Sequence, residues 1–471
     1  MALSTGIFAA LAAAACALNL QAATTITVDL SKTYQTMDGF GISETFQRAN
    51  QMHALSPTLQ RYALDLLFNR TSGAGFSILR NGIGSSPDSA SDHMVSIQPK
   101  NPGGPSSPPK YVWDANDNSQ VWLSTEAVQT YDLRIVYANA WSAPGYMKTN
   151  NNDANGGSLC GVSGASCASG DWKKAYAEYL VQYLTYYREI GVNITHLGFL
   201  NEPDLTTSYA SMRSSGTQAA DFVKVLRPAL DRANLTDVKV ACCDAEGWSS
   251  QQGMMSGLKG VEDMLGTITG HAYTNAPTSS INTRHPVWQT ENADLQGAWT
   301  TGFASGSGST AGLGLLWAER ISDAITKANV SAYLYWVGVQ GGATNSKLIR
   351  ISDDKTQVIA SKRLWAFANW SRHVRPGAVR VGTSGSPTGA RVSAFRNGDG
   401  RVAVQVVQSG SGAGSVSVQV AGFKSKSAKA WLTDESHNCE EQAATVGSDG
   451  SVSAVVPGKS MVTIVLESDA S

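Results

Sequence analysis

Apolar and polar positions change their period twice along the chain. Between about residues 37 and 370, short apolar runs without alternation are separated by longer stretches in which apolar residues return every three or four positions. The runs are Gly39–Ser43, Phe76–Asn81, Arg134–Ala138, His196–Asn201, Val238–Cys243, Thr267–Tyr273, Pro286–Glu291 and Ala332–Val337. Such runs predict strands buried on both faces of a parallel sheet. The stretches Pro57–Phe68, Trp172–Ile190, Thr217–Ala233, Ala311–Lys327 and Lys362–Asn369 predict helices. In Trp172–Ile190, one face carries Tyr176, Tyr179, Leu180, Tyr183, Leu184 and Tyr187. Eight strands interleaved with helices over ~330 residues predict an α/β fold, a (β/α)8 TIM barrel with insertions.

Beyond Pro376 the period becomes two, in Arg401–Gln408, Ser415–Val420 and Ser460–Leu466, with Gly/Ser turns between. That pattern predicts a side antiparallel β-sandwich. Thr25–Leu30 alternates in the same way and is expected to join it. Residues 1–22 contain no Asp, Glu, Lys or Arg and end in small residues, as a secretory signal peptide does. The expected organisation is therefore a signal peptide at 1–22, an N-terminal strand at 23–36, a catalytic barrel at 37–375 and a side sandwich at 376–471. A secreted, extracellular protein follows, and no later segment is apolar for long enough to span a membrane.

Five N-x-S/T sites, at Asn69, Asn193, Asn234, Asn329 and Asn369, are compatible with export and glycosylation. Removal of the signal takes Cys16 and leaves five cysteines. Cys160 and Cys167 flank a small-residue loop and suggest a local disulfide in an oxidising compartment. Cys242 and Cys243 fall on a strand, where neighbouring side chains are expected on opposite faces. The pairing of Cys439 is open, and the odd count leaves a buried structural thiol expected.

Charge changes the picture by exclusion. Lys+Arg 36 against Asp+Glu 37 leaves no net field for nucleic acid or an anionic membrane. Only 15% of residues are charged, while 12 are tryptophan, which suits an uncharged ligand such as carbohydrate. H-E-x-x-H, G-x-S-x-G, G-x-G-x-x-G and C-x2-C are absent, so neither metal nor organic cofactor is expected. A monomer is expected.

Two carboxylates stand apart by position. Glu202 in GFLNEPD follows the fourth strand run, and Glu291 in VWQTEN ends the seventh. In such barrels the active site lies at the C-terminal ends of the strands. A pair of Glu there supplies the acid/base and the nucleophile that glycosidic cleavage requires. A single strand-end Glu is ordinarily just solvated; it is the joint placement that points to chemistry.

The segments DGFG (Asp38–Gly41), NAWSAPGYMK (Asn139–Lys148), FLNEPD (Phe199–Asp204), HAY (His271–Tyr273) and WQTEN (Trp288–Asn292) together resemble glycoside hydrolase family 30. The long segment Ser96–Trp122 and the Cys160–Cys167 loop resemble its fungal xylanase branch. The resemblance implies a retaining endo-β-1,4-xylanase acting on xylan, in particular glucuronoxylan. The loop Gly82–Asn118 would close one end of the cleft and favour release of xylobiose. Glu202 would be the acid/base, Glu291 the nucleophile, and Asn201 the donor to the 2-hydroxyl. Tyr273 would hold the nucleophile, with Arg80 and His271 as further candidates beside a structural alternative for each. Trp141 and Trp336, at the ends of strands three and eight, could offer flat faces to sugar, with Trp113 and Trp248 as weaker loop candidates. Trp288 is expected in the core. Arg48 resembles the position that holds a uronic acid branch, the rival reading being an ordinary loop arginine. The alternatives are a β-1,6-glucanase or other β-glycosidase of the same family, and a non-catalytic carbohydrate-binding protein.

Overall fold

The computed structural model describes residues 23–90, 92–306 and 309–468; the expected signal peptide lies outside them. The chain opens with β1 (Thr24–Thr36). Eight parallel strands then close into a barrel: β2 (Gly39–Ser43), β3 (Ile78–Ile83), β4 (Ile135–Ala140), β5 (His196–Gly198), β6 (Lys239–Ala245), β7 (Thr267–His271), β8 (Val287–Glu291) and, after a short β9 (Asp294–Ala298), β10 (Ala332–Gln340). Closure comes from β10, which pairs with both β2 and β8. All eight predicted strands are present. The fourth is shorter than its apolar run, pairing only over His196–Gly198, so Phe199–Glu202 leaves the sheet and carries Asn201 and Glu202 onto the barrel rim. Three further short strands, β11 (Thr344–Asn345), β12 (Lys347–Ile351) and β13 (Val358–Ala360), follow. The β9–β11 pair joins the loops after the seventh and eighth barrel strands.

The expected helices are α2 (Pro57–Phe68), α4 (Lys173–Glu189), α5 (Gly216–Arg232), α7 (Gly314–Lys327) and α8 (Lys362–Ser371). Three others carry no clear sequence period: α1 (Arg48–His53), α3 (Gln120–Tyr131) and α6 (Trp248–Met254). In α3 the buried positions are Gln120, Leu123, Ser124 and Ala127. Their spacing is helical, but two of the four are polar, which hides the stripe. Gln120 is nonetheless satisfied, bonding both Gly82 backbone groups at 2.7 and 2.9 Å.

The remaining strands, β14 (Val379–Ser384), β15 (Ala390–Arg396), β16 (Val402–Gln408), β17 (Gly414–Val420), β18 (Ser425–Thr433), β19 (Asn438–Gln442), β20 (Ala444–Val446), β21 (Val452–Val456) and β22 (Ser460–Ser468), join β1 in one ten-stranded sheet. That sheet wraps around a core of Ile26, Val28, Val404, Val416, Val418, Ala454 and Ile464. β1 sits inside it, antiparallel to β14 and parallel to β17. The sandwich docks on α8, where the buried Asn369 donates to Trp431 O (3.1 Å) and Thr463 Oγ1 (2.9 Å).

Cys160 and Cys167 are bonded, with Cα atoms 5.5 Å apart. Cys242 and Cys243 depart from the expected alternation and are bonded to each other. Their joining peptide is cis, bringing the Cα atoms to 3.0 Å, so the two side chains do not take opposite faces. Cys439 is free and buried, and burial pushes its thiol up to about 12. Among the described residues no helix is long and apolar enough to cross a membrane.

Candidate active site

The lower lumen of the barrel is plugged by Ile78, Tyr137, Ala241, Trp288, Ala332 and Leu334. Trp288 lies there as expected, with its indole N–H on Asp38 Oδ2 at 2.7 Å. Just above the plug, at the C-terminal ends of the strands, the inward side chains become charged. Arg80, two residues beyond Ile78 on β3, is fully buried. Its guanidinium donates to Glu291 Oε2, to Asn201 Oδ1 at 2.6 Å and to Asp244 Oδ2 at 2.9 Å. Asp244 is the hub of this layer, accepting also from Tyr137 (2.7 Å), Asn139 (2.8 Å) and Thr290 (2.6 Å).

The two expected catalytic glutamates meet across His271. The His271 Nδ1 is 3.1 Å from Glu202 Oε1, and its Nε2 lies 3.7 Å from Asp244 and 3.8 Å from Glu291. One oxygen of Glu202, one of Glu291 and one ring nitrogen all fall within 4.8 Å of one another. Tyr273 donates to Glu291 Oε1 at 2.9 Å, and Tyr209 donates to Glu202 Oε2 at 3.2 Å. Glu202 itself sits at φ 47°, held by its backbone N–H on Asp244 O at 2.7 Å. Both carboxyls are only 5–6% exposed.

Electrostatics follow from burial and neighbours. Burial alone would discharge His271, but Glu291, Asp244 and Glu202 hold its proton up to about 10. Burial pushes the Glu291 carboxyl up, against the pull of His271 and Arg80. Despite complete burial, Asp244 is held below the ordinary aspartate range by Arg80, His271 and its hydrogen bonds. The Glu202–His271–Glu291 trio has the spacing of a metal site. The buried Arg80 cation, however, already holds Glu291 Oε2 and Asp244 Oδ2 and would repel a further cation. The donor set therefore suits charge and proton handling better than metal.

Asn201 presents its amide usefully. With Oδ1 taken by Arg80, its Nδ2 is left as a donor for a ligand. Trp141 covers Arg80, with the guanidinium 4.4 Å from its ring centre. Trp336 lies 5.9 Å from Trp141, and Phe46 touches both rings at 5.4 and 6.1 Å. These aromatic faces wall the site.

Arg48 stands one step further out, 5.4 Å from the Phe46 ring, and its guanidinium is paired with Asp92 of the Gly82–Asn118 loop. That loop is tied down by Tyr183 and Tyr187 on Asp117 (2.6 and 2.7 Å) and by Tyr146 on Gln98 O (2.8 Å). The two weaker loop candidates both pack against protein. Trp113 stacks on Tyr186 at 4.9 Å, and Trp248 is buried with its N–H on Ser279 O.

Glu202, Glu291, Asn201, Tyr273, His271 and Arg80 thus converge, with Trp141 and Trp336 beside them and Arg48 outside the charged layer. Residues not anticipated from sequence are Asp244, Tyr137, Asn139, Tyr209 and Phe46. Asn139 opens one of the quoted motifs and directly follows a strand run, a signal that could have found it.

Comparison with known proteins finds glycoside hydrolases along the whole matched length, with two family models and two activities among them. Residues 55–365 match the model of glycosyl hydrolase family 59, and residues 377–464 match that of the glycosyl hydrolase family 30 β-sandwich domain. The catalytic domain of the family 30 xylanase C from Talaromyces cellulolyticus is 42% identical, with a TM-score of 0.88 over 94% of this chain and 100% of that one. An endo-1,6-β-D-glucanase of Aspergillus fumigatus is 28% identical over 214 residues, 43% of this chain and 42% of the glucanase; the match thus spans less than half of that protein. Glucuronoxylanase XynC of Bacillus subtilis is 24% identical over 349 residues, 71% of this chain and 74% of that enzyme.

Proposed function

Since the chain belongs to glycoside hydrolase family 30, we propose that it is a secreted, retaining endo-β-1,4-xylanase acting on glucuronoxylan and also freeing xylobiose from chain ends. The observation that carries the mechanism is the approach of Glu202 and Glu291 oxygens to within 4.8 Å across His271. Retaining pairs stand ~5–5.5 Å apart, whereas inverting pairs need ~6.5–9.5 Å to admit water.

In the first step Glu291 attacks the anomeric carbon while Glu202 protonates the departing glycosidic oxygen. In the second, Glu202 takes a proton from water, which displaces Glu291 and restores both groups. Three carboxyls (Glu202, Asp244, Glu291) face two cations (Arg80, His271). A one-acid, one-nucleophile pair requires one of the two glutamates neutral and the other ionised in the resting site. The Asn201 Nδ2 donates to the 2-hydroxyl, a bond that strengthens as oxocarbenium character grows.

Substrate choice rests on the 42% identity to a xylanase catalytic domain over 94% of the chain and on Arg48, whose guanidinium matches a uronate carboxylate in shape and charge. Binding a uronate there means competing with Asp92. The Gly82–Asn118 loop, anchored through Asp117 and Gln98, is the segment that would close one end of the cleft and favour release of xylobiose. A β-1,6-glucanase reading is kept by the A. fumigatus relative. Product analysis on glucuronoxylan, arabinoxylan and β-1,6-glucan separates the two. Xylo-oligosaccharides from the first substrate are expected, and glucan hydrolysis without xylan cleavage would overturn the xylanase reading.

A further inference from the structure

Four of the five N-x-S/T sites share one face of the fold. Asn69 lies between α2 and β3, Asn193 between α4 and β5, Asn234 between α5 and β6, and Asn329 between α7 and β10. Each of these four connections leads from a helix into a barrel strand. All four asparagines therefore sit at the N-terminal ends of the strands, the face opposite Glu202 and Glu291. Asn193, Asn234 and Asn329 are exposed and Asn69 is half-buried. Where these side chains are engaged, it is through the amide oxygen. Asn69 Oδ1 accepts from the Thr71 N–H at 2.9 Å, and Asn329 Oδ1 accepts from Arg380 at 2.8 Å. Both bonds leave Nδ2 available.

Asn369 is different in every respect. It is 0% exposed on α8 beneath the sandwich. Both Nδ2 hydrogens are spent, on Trp431 O and Thr463 Oγ1, and Thr433 donates to its Oδ1. A sugar on that nitrogen would remove one of the two donated bonds and hold the sandwich off the barrel.

We infer that Asn69, Asn193, Asn234 and Asn329 are N-glycosylation sites that crown the face opposite the cleft, and that the Asn369 sequon stays bare in every folded molecule. The inference rests on the reading that the chain is exported. At each site the Nδ2 nitrogen attacks the anomeric carbon of a polyprenyl-diphosphate-linked oligosaccharide. A C–N bond forms, and the C–O bond to the diphosphate breaks with its electron pair on the leaving group. One Nδ2 proton is released, and no oxidant or reductant enters. Glycans so placed shield the closed end of the barrel and leave the polysaccharide path open.

The test is expression of the full chain in a eukaryotic secretory host. Secreted protein is treated with peptide N-glycosidase in 18O-water, and the 18O label is mapped by peptide mass spectrometry. Label at Asn69, Asn193, Asn234 and Asn329 with none at Asn369 is expected, and kcat/KM on polymeric xylan should be equal before and after deglycosylation. Label at Asn369 in active enzyme, or deglycosylation that raises activity on the polymer, would overturn the inference. A secreted chain bare at all four positions overturns it alone, whereas a chain retained in the cell and bare throughout overturns the export reading with it.

Discussion

The barrel lumen holds two layers built by the same strands two residues apart, and they are opposite in character. Ile78 gives way to Arg80, Tyr137 to Asn139, Trp288 to Thr290 and Leu334 to Trp336 along β3, β4, β8 and β10. Each layer contains a buried histidine. His196, against the Trp288 ring at 4.3 Å in the lower layer, is driven down to about 3 by burial and by Lys239. His271, in the upper layer, is held up to about 10 by the carboxylates around it. Burial is equal, so neighbouring charge decides the outcome. The plug also closes the lumen from below, which keeps the upper charges in a medium where their interactions are strong.

The largest way to sharpen the contrast is to remove the chemistry from the upper layer alone. Glu291→Ala and Glu202→Gln should each lower kcat on xylan by ~10²–10⁴-fold or more, with thermal unfolding near that of the parent. Near-normal turnover in either variant would remove that residue from its assigned role. The lower layer should answer in the other currency. Trp288→Ala is expected to cost ~3–5 kcal/mol of stability while the turnover per folded molecule is largely kept, as read by denaturant unfolding beside active-site titration.

The two histidines should give pH slopes of opposite sign. His271 gains affinity for its proton on folding. Its contribution is full below its unfolded value of ~6.5 and is lost as pH rises through about 10. His196 loses affinity on folding. Its neutral form contributes fully above ~6.5, and that contribution is lost as pH falls toward about 3. Tm profiles of His271→Gln and His196→Gln should therefore flatten on the alkaline and acidic sides respectively. Flattening on the same side would contradict the contrast. The smallest effect is expected outside both layers. Asp92→Ala frees Arg48 from a pair of the class worth ~0.2–1 kcal/mol. It should raise the preference for glucuronoxylan over unbranched xylan by up to ~5-fold; an unchanged ratio would take Arg48 out of branch recognition.

The barrel was legible in the sequence because strands buried on both faces write uninterrupted apolar runs, and Glu202 and Glu291 were legible because one directly follows such a run and the other ends one. The parity that sends Trp288 into the plug could be read in the same way. Asp244 could not. Its place depends on the bonded Cys242–Cys243 pair and a positive φ of 53°, which break the alternation that would have oriented it. Phe46 and Tyr209 lie in loops, where no period says which way a side chain turns. The pairing of Arg48 with Asp92 joins segments 44 residues apart and leaves no local mark.

Proton NMR of the first product released from glucuronoxylan tests the central claim most directly, since it reports whether Glu202 and Glu291 act as a double-displacement pair. Double displacement requires the β-anomer to appear first, with the α-anomer growing in only by mutarotation. Initial release of the α-anomer would contradict it.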